Sequence, residues 1–272
     1  MKRLILVSCS LLFILGGAIC WLLQDGRRER GRGADHAADR GEELLVYCAA
    51  GFRKPMVDIA RKYEVKFGVP IHLQFGGSGA LMSQLELAGG DVFLPADETY
   101  LERIRAQGGV REQFLIVRLI AGLVVAEGNP KKLRTLEDLS RAGLRISLGD
   151  QSTSIGRHTW DVFRELGISD KMKARVLVTK PTVNHLVEDV ATGAVDVAIA
   201  WAAVAHDYRG VEWVALPEFS QRVKVAGIGV LASSERRLRA LHFAEFVSAP
   251  ESGRKVFQEM GFICLPSPSR PD

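Results

Sequence analysis

The stretch FGGSGAL (Phe75–Leu81) sets a serine between glycines immediately before a helix-like run. Glycine lets a ligand approach the backbone closely, a serine adds a hydroxyl donor, and a helix start adds free N–H groups and a partial positive charge. Three other places share this construction. A strand ending at Ala50 meets a helix start at Gly51–Phe52, Gly149–Asp150 leads into Ser152–Gly156, and a strand ending at Lys180 meets Pro181, Thr182 and Val183. Trp201, ending a further strand, offers an indole N–H and a flat wall. Such a set suits a small oxyanion held by neutral dipoles. Ser78 is favoured as a site member, because a plain helix cap needs no glycine on both sides. The Thr182–Val183 loop is balanced between site and cap.

Reactive chemistry finds less support. The chain has no Gly-x-Ser-x-Gly elbow, no HExxH, no P-loop and no dinucleotide fingerprint. Asp97 and Asp150 end strands and could act as carboxylates, but capping or loop fixing is the favoured reading. His158 and His185 lie in early helical turns without metal-ligand spacing, so a surface or capping role is expected of them. Arg53 and Lys54 could steer an anion, though such residues are more often simply solvated. No catalytic residue, no cofactor and no direct side-chain metal ligand is expected.

These loops must be held by something. ELLVYCAA (43–50) reads as a strand, and KPMVDIARKYEVKFG (54–68) repeats apolar residues at helical spacing with Pro55 in its first turn. VPIHLQFGG, SGALMSQLELAGG and DVFLPA continue as strand, helix with Ser78 near its N-cap, and strand. That is the β-α-β-α-β rhythm of a parallel sheet flanked by helices. The rhythm returns with AGLVVAEG, a short helix boxed by Thr135 and Asp138, LRISLGD, a loop and helix over 152–167, ARVLVTK, PTVNHLVEDVATG and AVDVAIAWAA. VKVAGIGVLASS and two helices close the chain. A helix ending in AGG before DVFLPA (88–96) echoes one ending in TGA before VDVAIAWA (192–202). Two similar lobes follow, each a mainly parallel sheet with helices, joined by crossings near 116–123 and 216–226. The cleft between them would be lined by strand ends and helix starts.

Composition bounds the rest. The 272 residues are 47% apolar with a net charge of +4, enough for one large core or two modest ones. The charge is spread without a basic tract in the folded part, which argues against nucleic acid as partner. Four cysteines without a CxxC pair exclude a zinc ribbon or disulfide scaffold; Cys48 and Cys264, the two in the body, either pair or stay buried thiols. Met1–Arg3 are followed by an uncharged apolar run, Leu4–Leu23, long enough for a signal or a retained anchor. LVSC (Leu6–Cys9) follows too short an apolar run for lipidation, and GAIC puts Ile19 where a small residue is needed before Cys20. Cleaved signal and membrane tether both remain open; either way the body is expected outside the cytoplasm. The domain reading is leader 1–23, solvated polar linker 24–43, first lobe 44–120, second lobe 121–222, return to the first lobe 223–266, and tail 267–272.

In this order and at these intervals, CAAGF before a helix, FGGSGAL, GGDVFLPAD, SLGD with its loop to Gly156, and VDVAIAWAAVA resemble the periplasmic molybdate-binding proteins of ABC transporters. The likeness runs from about Leu44 to Pro266. It implies a type II periplasmic-binding fold that holds molybdate or tungstate as an intact dianion through serine hydroxyls and backbone amides. It also implies delivery to a membrane permease with a cytoplasmic ATPase, and a monomer is expected. Carried over, the resemblance places ligand contacts on Gly51, Ser78, Ile155, Val183 and Trp201, with Gly77, Ser154 and Thr182 as weaker candidates. The family's first-loop serine falls on Gly51 and its tyrosine on Trp201, so two donors differ. One lost hydroxyl donor to a buried dianion costs about 1.5–3 kcal/mol, ten- to a hundredfold in affinity, unless water or Ser154 replaces it. A different oxyanion, a small organic anion, an enzyme on the same scaffold and a tethered sensor are the alternatives.

Overall fold

The run LLVYCA forms β1 (Leu44–Ala49), nearly all of it buried, in the middle of a parallel group. These coordinates are a computed structural model that describes residues 43–266. The expected leader or anchor, nearly all of the polar linker and the tail lie outside the described residues. From β1 a 3-10 turn at Ala50–Phe52 runs into α1 (Arg53–Phe67), which buries Met56, Ile59, Ala60 and Tyr63 along one stripe. Gly68, at φ 69°, ends the helix in the left-handed region that glycine enters without strain. β2 (Ile71–Gly76), α2 (Ser78–Ala88) and β3 (Val92–Leu94) follow. Then come two elements absent from the sequence reading, α3 (Thr99–Ala106) and the long β4 (Val110–Leu119).

The second group holds β5 (Ala121–Ala126), β6 (Ile146–Gly149), α4 (Ser154–Glu165), α5 (Ser169–Lys173), β7 (Val176–Lys180), α6 (Val183–Ala191), β8 (Val197–Trp201), α7 (Ala202–Ala205), β9 (Val211–Ala215) and α8 (Pro217–Ser220). The chain returns through β10 (Lys224–Leu231), α9 (Arg237–Ser248), α10 (Lys255–Glu259) and β11 (Ile263–Cys264). Strands order as β11-β4-β10-β3-β1-β2 in one sheet and β7-β6-β8-β5-β9 in the other. The architecture is thus a two-lobed α/β fold with helices on its sheets.

Mainly parallel sheets were expected, and this detail needs correction. Parallel pairing is confined to β1–β2, β1–β3, β6–β7 and β6–β8. The remaining pairings, β4–β10 and β5 with β8 and β9 among them, are antiparallel. The reason is connectivity: β4 carries the chain out of the first lobe and β10 brings it back alongside, so the two run in opposite directions.

Strand alternation splits the first lobe's core in two. Tyr47 and Phe93 face Leu81, Leu85, Leu101 and Ile104 of α2 and α3. Val46, Cys48, Val92 and Leu94 face the opposite cluster with Met56, Ile59, Phe243 and Phe257. The expected Thr135–Asp138 box is present, each side chain accepting the other's backbone N–H, although it starts only a 3-10 turn (Glu137–Ser140). Cys48 and Cys264 are free thiols. No helix among the described residues is long and apolar enough to cross a membrane.

Candidate functional site

Where the strand ends of the two sheets face each other, Ala49, Gly51, Gly77, Ser78 and Ala96 of the first lobe meet Thr153, Ser154, Ile155, Thr182, Val183 and Trp201 of the second around one cavity. Its free volume, counted for the centre of a water-sized sphere, is about 20 Å³, and every residue lining it is uncharged. All eight positions read from the sequence line this cavity. Ala49, Ala50, Gly76 and Thr153 also line it without having been named as contacts, and so does Ala96. Its signal was its place at the end of a strand facing the cleft.

The loops contribute in two different ways. Gly77 occupies the N-cap of α2, so Ser78 is the first helical residue and its side chain makes no capping bond. Instead Ser78 Oγ accepts the Ala96 N–H at 3.1 Å and the Ser154 hydroxyl at 2.9 Å, while only 2% of the residue is exposed. One of the two serine protons makes the Ser78–Ser154 bond, and the other is left for a further partner. In the second lobe the threonines are true caps. Thr153 Oγ1 accepts the Gly156 N–H at 3.0 Å and donates to the Asp150 carbonyl at 2.6 Å. Thr182 is the N-cap of α6 and lies 3.0 Å from His185 Nδ1. Their hydroxyls serve the helices, so these loops present the first-turn N–H groups of Ser154, Ile155 and Val183, which have no partner within their own helices.

Close approach requires glycine at one of these places and makes a side chain tight at another. A Cβ on Gly77 would stand 2.7 Å from the Pro181 carbonyl oxygen of the facing lobe. A Cβ on Gly51 would lie 3.1 Å from both Val183 Cγ1 and Val204 Cγ2. A serine in the first loop would therefore press on two valines of the second lobe.

Trp201, 1% exposed, forms one wall and stacks on the His158 imidazole with ring centres 5.6 Å apart and planes at 21°. His158 is not a surface or capping residue, as its helix position had suggested. It is 3% exposed, and burial, helped by repulsion from Lys224, lowers its pKa from 6.5 to about 4. The reason is packing: α4 turns this side chain inward against Trp201 and Phe219. His185 is exposed and packs on the α6 cap as expected.

The acids do structural work. Asp97 accepts the Thr99 N–H at 3.0 Å and pairs with Arg157 at 3.2 Å and Lys224 at 3.4 Å. Asp150 accepts the Ser152 N–H, and that bond holds its carboxyl below the usual range. Arg53 lies over the Phe75 ring, and Lys54 pairs with Asp207 across the lobes at 3.4 Å. Neither lines the cavity. Among the described residues no group of three or more His, Cys, Asp or Glu could hold a metal ion.

A two-lobed fold with a small uncharged cavity between its sheets is the architecture of a solute-binding protein. The chain belongs to the bacterial extracellular solute-binding protein family, whose model matches residues 44–263. It is 28% identical over 225 residues to the molybdate-binding protein ModA of Mycobacterium tuberculosis, covering 80% of this chain and 84% of the relative. A binding protein of Haemophilus influenzae is 26% identical over 224 residues, covering 81% and 91%. In fold it matches the periplasmic molybdate-binding protein of Azotobacter vinelandii with a TM-score of 0.67 at 21% identity, over 82% of this chain and all of that one.

Proposed function

We propose that the protein captures molybdate or tungstate between its lobes, outside the cytoplasm or at the outer face of its membrane, and hands it to an ABC permease driven by a cytoplasmic ATPase. The observation that carries this reading is a small, wholly uncharged cavity lined by helix starts from both lobes and by the Ser78–Ser154 hydroxyl pair that joins them. Donors already fixed by the fold need no reorganisation, so a dianion binds tightly without a lysine or arginine beside it. Closure excludes water and leaves cavity size and donor count to select the anion. The named ligand of the M. tuberculosis and A. vinelandii relatives supports molybdate.

Calorimetry with molybdate, tungstate, sulfate and phosphate, beside the Ser78→Ala variant, tests it. Tight binding of the first two, weakened about ten- to a hundredfold in the variant, is expected. Heat with sulfate or phosphate alone would reassign the ligand, and Gly51 and Trp201 would then mark the change. No heat with any of the four would overturn the oxyanion reading and send the search to organic anions.

A further inference from the structure

The two cavity serines meet across the cleft, and further contacts join the lobes beside them, outside the cavity. Ser78 Oγ is tied to the Ala96 N–H in the first lobe, and Ser154 opens α4 in the second. The residue after Ala96 is Asp97, and one turn along α4 stands Arg157. These two meet across the cleft. Arg157 Nη2 donates to Asp97 Oδ2 at 3.2 Å and to Thr99 Oγ1 at 2.6 Å, and the guanidinium lies 4.2 Å from the centre of the Tyr100 ring. The Tyr100 hydroxyl donates at 2.9 Å to the Ser152 carbonyl of the second lobe, which also accepts the Gly79 N–H at 3.0 Å. Asp97 is 1% exposed, and Lys224, where the chain has just crossed back, is its other cation at 3.4 Å.

We infer that Arg157 is a positioning residue for anion capture: by joining Asp97, Thr99 and Tyr100 across the cleft it sets Ser154 against Ser78 and holds the lobes shut. The inference rests on the capture reading above. Opening the cleft parts all three contacts, so they stabilise the closed state alone and act on release rather than on encounter. Lysine cannot stand in, because a point charge does not reproduce a planar fork stacked on an aromatic ring. A second account of the same residue is electrostatic: a cation near the site attracts the dianion at long range. The two accounts predict opposite signs for Asp97→Asn. If charge alone mattered, removing a carboxylate near a dianion would tighten binding. If Arg157 acts by clamping, the loss of its partner loosens it.

The test uses molybdate with the full chain, following tryptophan fluorescence in stopped flow. Beside it, the distance between spin labels placed one on each lobe is measured with and without molybdate. Arg157→Gln is expected to raise the release rate about tenfold while the association rate stays within about twofold. Arg157→Lys fails to restore release, Asp97→Asn also speeds it, and each variant lowers the population at the short interlobe distance. An unchanged release rate in Arg157→Gln, or slower release in Asp97→Asn, would overturn the inference. Should the unsubstituted protein take up no molybdate, the capture reading fails separately. The spin-label distances then decide alone, and an unshifted distribution in Arg157→Gln sinks the clamp.

Discussion

Replacing Gly51 by serine would restore the hydroxyl that the resemblance places in the first loop, and the structure sets what it would cost. The new Cβ would stand 3.1 Å from Val183 Cγ1 and from Val204 Cγ2, where ordinary contact begins at 3.4 Å, so both neighbours must give by a few tenths of an ångström. Val183 opens α6 and is β-branched, which leaves it essentially one rotamer in a helix. Val204 is 1% exposed and has little room to retreat. Crowding of this kind costs about 1–3 kcal/mol, against about 1.5–3 kcal/mol from a hydroxyl donated to an anion. The two effects nearly offset each other. Gly51→Ser should therefore bind molybdate within about threefold of the parent, while its Tm without ligand stays close to the parent's, because Gly51 meets the two valines only where the lobes close. Adding Val204→Ala removes one overlap, and the double variant should bind about tenfold tighter than Val204→Ala alone, a coupling of about 1.4 kcal/mol where Gly51→Ser alone is neutral. Calorimetry and thermal unfolding of all four proteins close the cycle. A tenfold gain in Gly51→Ser by itself, or strict additivity in the cycle, would refute the crowding argument.

Other consequences follow from the same contacts. A Cβ on Gly79 would overlap the Ser152 carbonyl oxygen of the facing lobe, so Gly79→Ala should act as a wedge and weaken molybdate binding at least about tenfold; unchanged affinity would mean the lobes close elsewhere. Thr153→Ala removes the α4 cap and should cost about 0.5–2 kcal/mol in denaturant unfolding. His158 gives a pH dependence whose sign is fixed by its lowered pKa. Below pH 6.5 the unfolded chain takes up a proton that the folded one refuses until about pH 4, so stability falls across that window as pH drops. The slope reaches about 1.4 kcal/mol per pH unit. His158→Phe keeps a flat ring against Trp201 and should remove that part of the slope; an identical pH profile in the variant would show that folding leaves the His158 pKa at its unfolded value.

How far the sequence could be read depends on how local each feature is. Apolar spacing in 54–68 marked α1, because a helix repeats its buried face every three or four residues whatever it packs on. Glycine and serine before a helix marked the Ser78 loop for the same reason. α3 carried the same signal, with Tyr100, Leu101 and Ile104 at helical spacing, and was overlooked; β4 gave none, because it mixes charged and apolar residues, pairs with β10 and β11 and stays partly exposed, so its strand identity comes from its partners. His158 was misplaced because position in a helical turn does not say which way the side chain faces in the packed lobe.

By itself the sequence determined the α/β rhythm, the two-lobed plan and the set of loops that face the cleft, since these rest on periodicity and turn chemistry within short windows. Tertiary structure decided the rest. Ser154 reaches Ser78 across 76 residues of chain, and Arg157 reaches Asp97 across 60. Which hydroxyls cap helices and which are left for a ligand likewise depends on neighbours brought by the fold, as Ala96 is to Ser78. Hydrogen bonds and close packing act over a few ångströms of space. Only the folded chain says which residues are that near.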